Sequence, residues 1–235
     1  SDVLTLTATP IPRTLYMSLM GVKDLSVINT PPSTRLPIKT YVLEYDDDLI
    51  QQAILKEYGR RGQVYFVHNH IFDIAKIKER LLRLLPEEIR IGVAHGQMSS
   101  GELEDIMLGF LNGEVDVLIS TAIIESGIDV PNANTLIVNN AYDFGLSDLH
   151  QLRGRVGRFN RSAYAYFLIP PKNIGSNAKK RLEALTSYTE LGSGFKIAMR
   201  DLEIRGAGNL LGIEQHGFIA SIGFDLYCRL LKETV

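Results

Sequence analysis

The segment QLRGRVGR, residues 151–158, has the residue types of a phosphate-binding site in a chain whose formal net charge is only −2. At about 100° per residue, the helical period predicts one apolar side and an opposite side that carries Gln151, Arg155 and Arg158. Arginine suits such a face because its planar guanidinium stays charged and binds phosphate oxygens through paired hydrogen bonds. The two glycines each cost about 1 kcal/mol inside a helix, which indicates a close approach that a side chain would block. On geometry alone, a solvated basic helix explains the pattern equally well.

Positive charge is concentrated around this segment, because no Asp or Glu occurs between Leu149 and Leu182. The chain nevertheless carries no G-x-x-x-x-G-K-[ST] phosphate loop, no acidic pair after an apolar strand and no cluster with metal-ligand spacing, so we predict no metal site. The segment GAGNLLG follows a predicted helix rather than a strand, which argues against a dinucleotide site. We therefore expect any nucleotide chemistry to need a second component.

The wider composition is typical of a soluble globular protein, since 45% of the 235 residues are hydrophobic and 22% are charged. The single cysteine, Cys228, indicates a reducing compartment. Neither a signal peptide nor an apolar run long enough to cross a membrane is recognisable, so we expect no membrane partner and a cytoplasmic location. The chain reads as part of a longer protein.

Short β-branched runs alternate with amphipathic segments from about residue 36, which predicts an α/β fold with a parallel sheet flanked by helices. Asn69, Ser99 and Ser147 are predicted to cap three of the helices, and Ser99 with Glu102 forms a capping-box pattern. The predicted strands are KTYVLEY, QVYFVH, RIGVAH, DVLIST, TLIVNN and AYAYFLIP. After residue 172 only helical patterns follow. We divide the chain into residues 1–35, a sheet lobe at 36–172 and a helical appendage at 173–235.

Several of these segments, in order, resemble the motifs of superfamily 2 helicases and translocases. QLRGRVGR is similar to motif VI, and LTATPIPRT (6–14) to motif III. VYFVHN (64–69) resembles motif IV, VAHGQM (93–98) the adjoining loop that touches nucleic acid, and ISTAIIESGIDVPNA (119–133) motif V. The resemblance implies a RecA-like fold and the second of two motor lobes.

The same resemblance implies roles for individual residues. ATP with Mg²⁺ is expected mainly on the first motor lobe in cis, and Arg155 and Arg158, together with Gln151, are expected to reach its γ-phosphate. The other implied sets are Gly127 and Asp129 for the nucleotide; Asn69, His95, Gly96, Thr121 and Arg205 for DNA; and Thr7, Thr9, Arg13, Arg205 and Gln215 for coupling. Judged alone, Thr9, Asn69 and Thr121 fit strand-end caps as well, and His68 and His95 fit structural histidines.

The segment from about residue 194 to residue 227 resembles the helical hairpin and loop shared by the RecG helicases and the transcription-repair coupling factors. AGNLLG, HGFI and GFDLY, at residues 207–227, favour the coupling factors. The resemblance implies an ATP-driven translocase of double-stranded DNA in the bacterial cytoplasm, with RNA polymerase and excision-repair proteins as partners of other domains. A RecG-like branched-DNA helicase is the alternative. In isolation the chain is expected to be inactive, or only a DNA-binding module.

Overall fold

A computed structural model describes residue 26 and residues 36–121, 130–157, 161–171, 174–190 and 192–204. The chain divides into two compact units, of which the larger is Pro32–Thr189 and the smaller includes the segment from Glu190. Each unit is described separately below.

The larger unit is built on a six-stranded sheet with the strand order β1-β6-β5-β2-β4-β3. Every recorded strand pair is parallel. The strands are β1 (Lys39–Glu44), β2 (Gln63–Val67), β3 (Ile91–Ala94), β4 (Val117–Ser120), β5 (Ala133–Val138) and β6 (Tyr164–Ile169). The predicted parallel α/β sheet is therefore confirmed, and each predicted strand is present. Because all strands run the same way, their carboxyl ends meet at one edge of the sheet.

Five α-helices lie in the larger unit with these strands, within the described residues, and a sixth belongs to the smaller unit. Their bounds are α1 (Asp47–Gly59), α2 (Ile71–Leu84), α3 (Ser100–Leu111), α4 (Leu146–Arg153), α5 (Ser176–Ser187) and α6 (Gly194–Ile204). Helix α3 begins with the predicted capping box: the Glu102 amide donates to Ser99 Oγ at 3.4 Å, and the Ser99 amide donates to Glu102 Oε2 at 3.0 Å. Two amide donors of the first turn are thereby satisfied by local side chains.

The other two predicted caps are wrong. Helix α2 has His70, not Asn69, at its N-cap, and His70 makes no side-chain capping bond. Helix α4 starts after Gly145, so Ser147 is already inside the helix. There the Asp148 carboxylate accepts a hydrogen bond from the Gly145 amide at 3.2 Å. A capping side chain must lie at the residue where the backbone changes from extended to helical. The conformation of the preceding loop decides which residue that is.

The main core lies between helices α1 and α2 and the central strands. Ile50 and Ile54 of α1 are fully buried, as are Phe66 of β2, Ile119 of β4 and Ile137 of β5. Burial of each such side chain contributes about 1.5–3 kcal/mol relative to exposure. Every residue of the central strands β2, β4 and β5 is buried. Strands that are covered on both faces require largely apolar sequences of this kind.

Helix α5 belongs to the larger unit, where it packs against α4 and β1. Residues 173–235 were predicted to form an appendage, but α5, which lies within them, packs in the larger unit. The division of the chain into functional parts stays a prediction. In the smaller unit, Ile197, Ala198 and Asp201 form a buried face of α6.

Candidate functional site

Three neighbouring strands end at one edge of the sheet in polar residues. In the order β2-β4-β3, they are followed by His68 and Asn69, by Thr121, and by His95 and Gly96. Backbone hydrogen bonds continue the sheet through these positions: the His68 amide donates to Ser120 O at 2.9 Å, and the Thr121 amide donates to Ala94 O at 3.3 Å. The structure thus brings together the described residues for which DNA contacts were predicted.

These residues differ in how much of each is exposed. Asn69 and Gly96 are exposed, His95 is half-buried and Thr121 is only 8% exposed. The turn after β3 is held by the Met98 amide, which donates to His95 O at 3.1 Å. Because Asn69 does not cap α2, its side chain remains at the surface, where it can contact a ligand that lies across the strand ends.

His68 is a structural residue at the centre of this edge. It is 2% exposed, and the Asn139 amide nitrogen lies 3.2 Å from its Nδ1. Burial lowers the pKa of His68, and the neighbouring His70 lowers it further, against the opposing effect of Asp73 and Asp143. The imidazole is therefore neutral near pH 7. Asn139 was missed by the sequence analysis because β5 is adjacent to β2 only in the folded sheet.

Several polar atoms at this edge have unused hydrogen-bonding capacity. In the part of the chain that the structure describes, buried Ser120 Oγ, His68 Nε2 and His95 Nδ1 have no hydrogen-bond partner. Six further buried side-chain atoms without a hydrogen-bond partner lie elsewhere in the described residues, so this feature is not specific to the edge. Ordered water commonly satisfies atoms of this kind.

The arginine segment does not continue as a helix. Helix α4 ends at Arg153 with Gly154 as its C-cap, and the Arg155 amide donates to Leu152 O at 3.0 Å in the following turn. The prediction that Gln151 and Arg155 share one helical face is therefore wrong in its geometry. Both residues are half-buried, with Gln151 in the last turn of the helix and Arg155 just beyond it.

Gly157 shapes the turn that follows the helix. Gly157 has φ +75°, and a Cβ added there would lie 2.9 Å from Ala163 Cβ and 3.2 Å from Ile38 Cγ1. The close approach predicted from the glycines thus exists at Gly157, but the approaching group is the chain itself. A left-handed backbone conformation of this kind is accessible to glycine at little cost.

Arg153, which the sequence analysis did not single out, is the buried arginine of the segment at 4% exposure. Its guanidinium donates to Leu185 O and Tyr188 O, each at 2.8 Å, and lies 3.0 Å from His150 Nδ1. It therefore joins the end of α4 to the last turn of α5. No sequence signal distinguished it from its neighbours, because its acceptors are backbone carbonyls more than thirty residues away.

The remaining predicted site residues lie outside the described residues. They are Thr7, Thr9, Arg13, Gly127, Asp129, Arg158, Arg205 and Gln215. Within the described part of the chain, no group of three or more His, Cys, Asp or Glu side chains could hold a metal ion. The same part contains no helix long and apolar enough to cross a membrane.

Both the sequence and the fold are similar to those of known proteins. Residues 46–160 match the helicase conserved C-terminal domain. All 235 residues are 60% identical to the transcription-repair-coupling factor of Bacillus subtilis and 59% identical to that of Staphylococcus aureus strain USA300. In each case the chain spans 20% of the relative's length.

Solved structures agree with this fold. The chain resembles RecG bound to a three-way DNA junction with a TM-score of 0.71 and 36% identity, over 95% of this chain and 30% of RecG. It also resembles Saccharomyces cerevisiae Dbp5 L327V bound to RNA and ADP BeF3, with a TM-score of 0.56 over 84% of this chain and 54% of Dbp5. At 18% identity, the second likeness shows the fold alone.

Proposed function

Because this chain belongs to the transcription-repair-coupling factor family and carries its helicase C-terminal domain, we propose that it is the second motor lobe of an ATP-dependent double-stranded DNA translocase. The observation that carries the proposal is the 60% identity along the whole chain. Under the proposal, the intact protein displaces stalled RNA polymerase and couples transcription to nucleotide excision repair. Its polymerase and repair partners bind other domains, and it works in the bacterial cytoplasm.

The polar strand ends suit one strand of the DNA backbone. Asn69 and Gly96 are exposed at this edge, after β2 and β3. Thr121 follows β4, the strand between these two, and His95 directly precedes Gly96. Contacts of this kind to phosphate oxygens position a protein on DNA without reading its sequence.

The turn after α4 suits the nucleotide. Arg155 is a half-buried guanidinium just beyond the end of α4, and Arg158, Gln151, Gly127 and Asp129 are the other proposed members. ATP supplies the phosphoryl group whose hydrolysis drives movement, and an arginine aimed at it stabilises developing charge. Mg²⁺ and the phosphate loop are assigned to the first motor lobe on the motif resemblance.

Coupling residues complete the proposal. Thr7, Thr9 and Arg13 are assigned to communication with the first lobe, and Arg205 and Gln215 to communication between the nucleotide site and the translocation hairpin. Arg205 is also assigned to the DNA contact. These assignments rest on the motif resemblance alone.

Arg155→Ala in the full-length protein tests the proposed function. DNA-stimulated ATP hydrolysis should fall by about 10³-fold or more, as for loss of an arginine finger, while the affinity for duplex DNA stays within about threefold. Arg161→Ala is the matched control, because Arg161 is an exposed arginine of the same positive region. Near-normal turnover by Arg155→Ala would exclude this role, and ATP hydrolysis by the isolated chain would contradict the division of labour between lobes.

A RecG-like activity is the second candidate, favoured by the 36% identity and TM-score of 0.71 to RecG. The two functions differ in substrate. A RecG-like enzyme unwinds a three-way DNA junction, whereas a coupling translocase releases a stalled polymerase from linear duplex. Incubation of the full-length protein and ATP with each substrate separates them.

A further inference from the structure

Three cations surround one tyrosine at the amino-terminal ends of the strands. The polar strand ends described above lie at the opposite, carboxyl-terminal edge of the sheet. Lys56 Nζ lies 4.3 Å from the centre of the Tyr164 ring, Arg60 Cζ 5.3 Å and Lys39 Nζ 5.6 Å. Lys39 and Lys56 are exposed. We refer to Lys39, Lys56, Arg60 and Tyr164 as the Tyr164 cluster.

Two further tyrosines extend the cluster along the sheet. The β1–β6 register places Lys39 opposite Tyr164 and Tyr41 opposite Tyr166. The Tyr41 and Tyr166 rings are stacked with centres 5.4 Å apart, and those of Tyr164 and Tyr166 with centres 6.4 Å apart. Tyr41 is 40% exposed, so an aromatic surface runs from the cluster to the outer strand of the sheet.

The cluster keeps a net positive charge. Arg60 is fixed by the buried Glu57, whose carboxylate accepts a hydrogen bond from Arg60 Nη2 at 2.5 Å and another from the Thr135 hydroxyl. Glu57 offsets one of the three cations and leaves two. A hydrogen bond from Lys56, and then the charges of Lys56, Lys39 and Arg60, lower the pKa of Tyr164. Clustered like charges oppose folding, so an anionic partner would stabilise this surface.

Strand β1 adds a backbone feature to the same surface. It is the outermost strand, and among the described residues it pairs only with β6. The Lys39 and Tyr45 amides donate to Ala163 O and Ile169 O of the β6 segment. The backbone N–H and C=O groups of successive residues in a strand point alternately to its two edges. Those of Thr40 and Val42 therefore face the outer edge. An edge of this kind accepts an added strand through main-chain hydrogen bonds.

The distribution of charge along this edge discriminates between anionic partners. The amino end of β1 lies in the Tyr164 cluster, whereas its carboxyl end leads into Glu44, Asp46, Asp47 and Asp48. Asp47 is paired with Arg80 at 2.6 Å, so Glu44, Asp46 and Asp48 supply the negative charge of that end. The two ends are about 20 Å apart, at about 3.3 Å per residue. A nucleic acid is a uniform polyanion, so its backbone would be repelled at the acidic end. A peptide can instead carry carboxylates at one end only.

We propose that the Tyr164 cluster and the outer edge of β1 form a binding site for an extended acidic peptide segment of a partner protein. The peptide pairs with β1 as an additional strand and places carboxylates against Lys39 and Lys56. The side chains that follow the carboxylates pack on Tyr41. This site is independent of the proposed motor function, because it lies at the opposite end of the strands.

The test uses the 235-residue chain and a fluorescent peptide of about eight residues, in which acidic and threonine residues alternate in one half and the other half is threonine, so that the carboxylates share one face and one end. At low ionic strength the peptide should bind saturably, and added salt should weaken binding. Lys39→Glu combined with Lys56→Glu should weaken it by about tenfold or more. The matched control combines Lys179→Glu with Lys180→Glu, which are exposed on α5 and change the net charge equally; it should leave affinity within about twofold.

A second ligand isolates the backbone contribution without altering the protein. The same peptide with alternate amides N-methylated keeps its charge but loses the donors that pair with β1, and it should not bind. Equal binding of both peptides, or no saturable binding of the first, would overturn the proposal. Tighter binding of a single-stranded oligonucleotide that is lost with the Lys39 and Lys56 changes would overturn it in favour of a nucleic-acid site.

Discussion

Replacing Arg153 with leucine should destabilise the larger unit severely. The buried guanidinium donates to Leu185 O and Tyr188 O at 2.8 Å each, and these two bonds join α4 to the end of α5. A hydrogen bond to a charged group contributes about 1.5–3 kcal/mol, and removal of one partner leaves buried acceptors unsatisfied. We expect Arg153→Leu to lower the free energy of unfolding by about 3–6 kcal/mol, the sum of two such hydrogen bonds.

Urea unfolding followed by circular dichroism measures this loss, and hydrogen exchange at the end of α5 localises it. Arg153→Lys keeps the charge but cannot span two carbonyls, so we expect about half the effect. Arg83→Leu is the control: Arg83 is exposed in the last turn of α2, and its loss should change stability by no more than about 0.5 kcal/mol. An Arg153→Leu protein within about 1 kcal/mol of the original, with unchanged exchange near Tyr188, would refute the reasoning.

Three further predictions follow from local geometry. Gly157→Ala should cost about 2–4 kcal/mol in urea unfolding, because it combines a strained left-handed backbone with a Cβ 2.9 Å from Ala163 Cβ; a neutral result would contradict the described turn. Since burial lowers the pKa of His68, its contribution to stability is complete above about pH 6.5 and is lost as the pH falls; His68→Gln should flatten this dependence between pH 7.5 and 5.5, and His70→Gln, which removes the smaller of the two causes of the lowered pKa, should flatten it only in part. Ser99→Ala should cost about 1 kcal/mol by removing half of the capping box, with no loss indicating that α3 begins elsewhere.

The sequence predicted the sheet well because its evidence is local. The central strands are uniformly apolar and separated by amphipathic runs, which specifies their type and order without knowledge of the fold. Ser99 and Glu102 are three residues apart, so their capping box is a property of the local chain. The predicted DNA-binding residues Asn69, His95, Gly96 and Thr121 also follow strands directly, and parallel pairing places them together. Their proposed roles stay predictions.

Local pattern was insufficient at the arginine segment. Leu149, Leu152 and Val156 have helical spacing and are all buried, yet the helix ends at Arg153. The turn beyond the helix includes Gly157, which the nearby Ala163 and the distant Ile38, just before β1, approach closely. Periodicity detects which side chains are buried, but it does not detect a chain reversal that preserves the same burial.

The sequence by itself determined the kind and order of the elements, the helicase motifs and their spacing, and the excess of positive charge after residue 149. Tertiary structure alone decided which of those arginines is buried in a structural role and which lies in the turn beyond the helix. It alone also brought Lys39, Lys56 and Tyr164 together, although more than one hundred residues separate the first and last. The physical reason is that helix periodicity and caps act over a few residues, whereas strand pairing and the acceptors of a buried cation are contributed by distant segments.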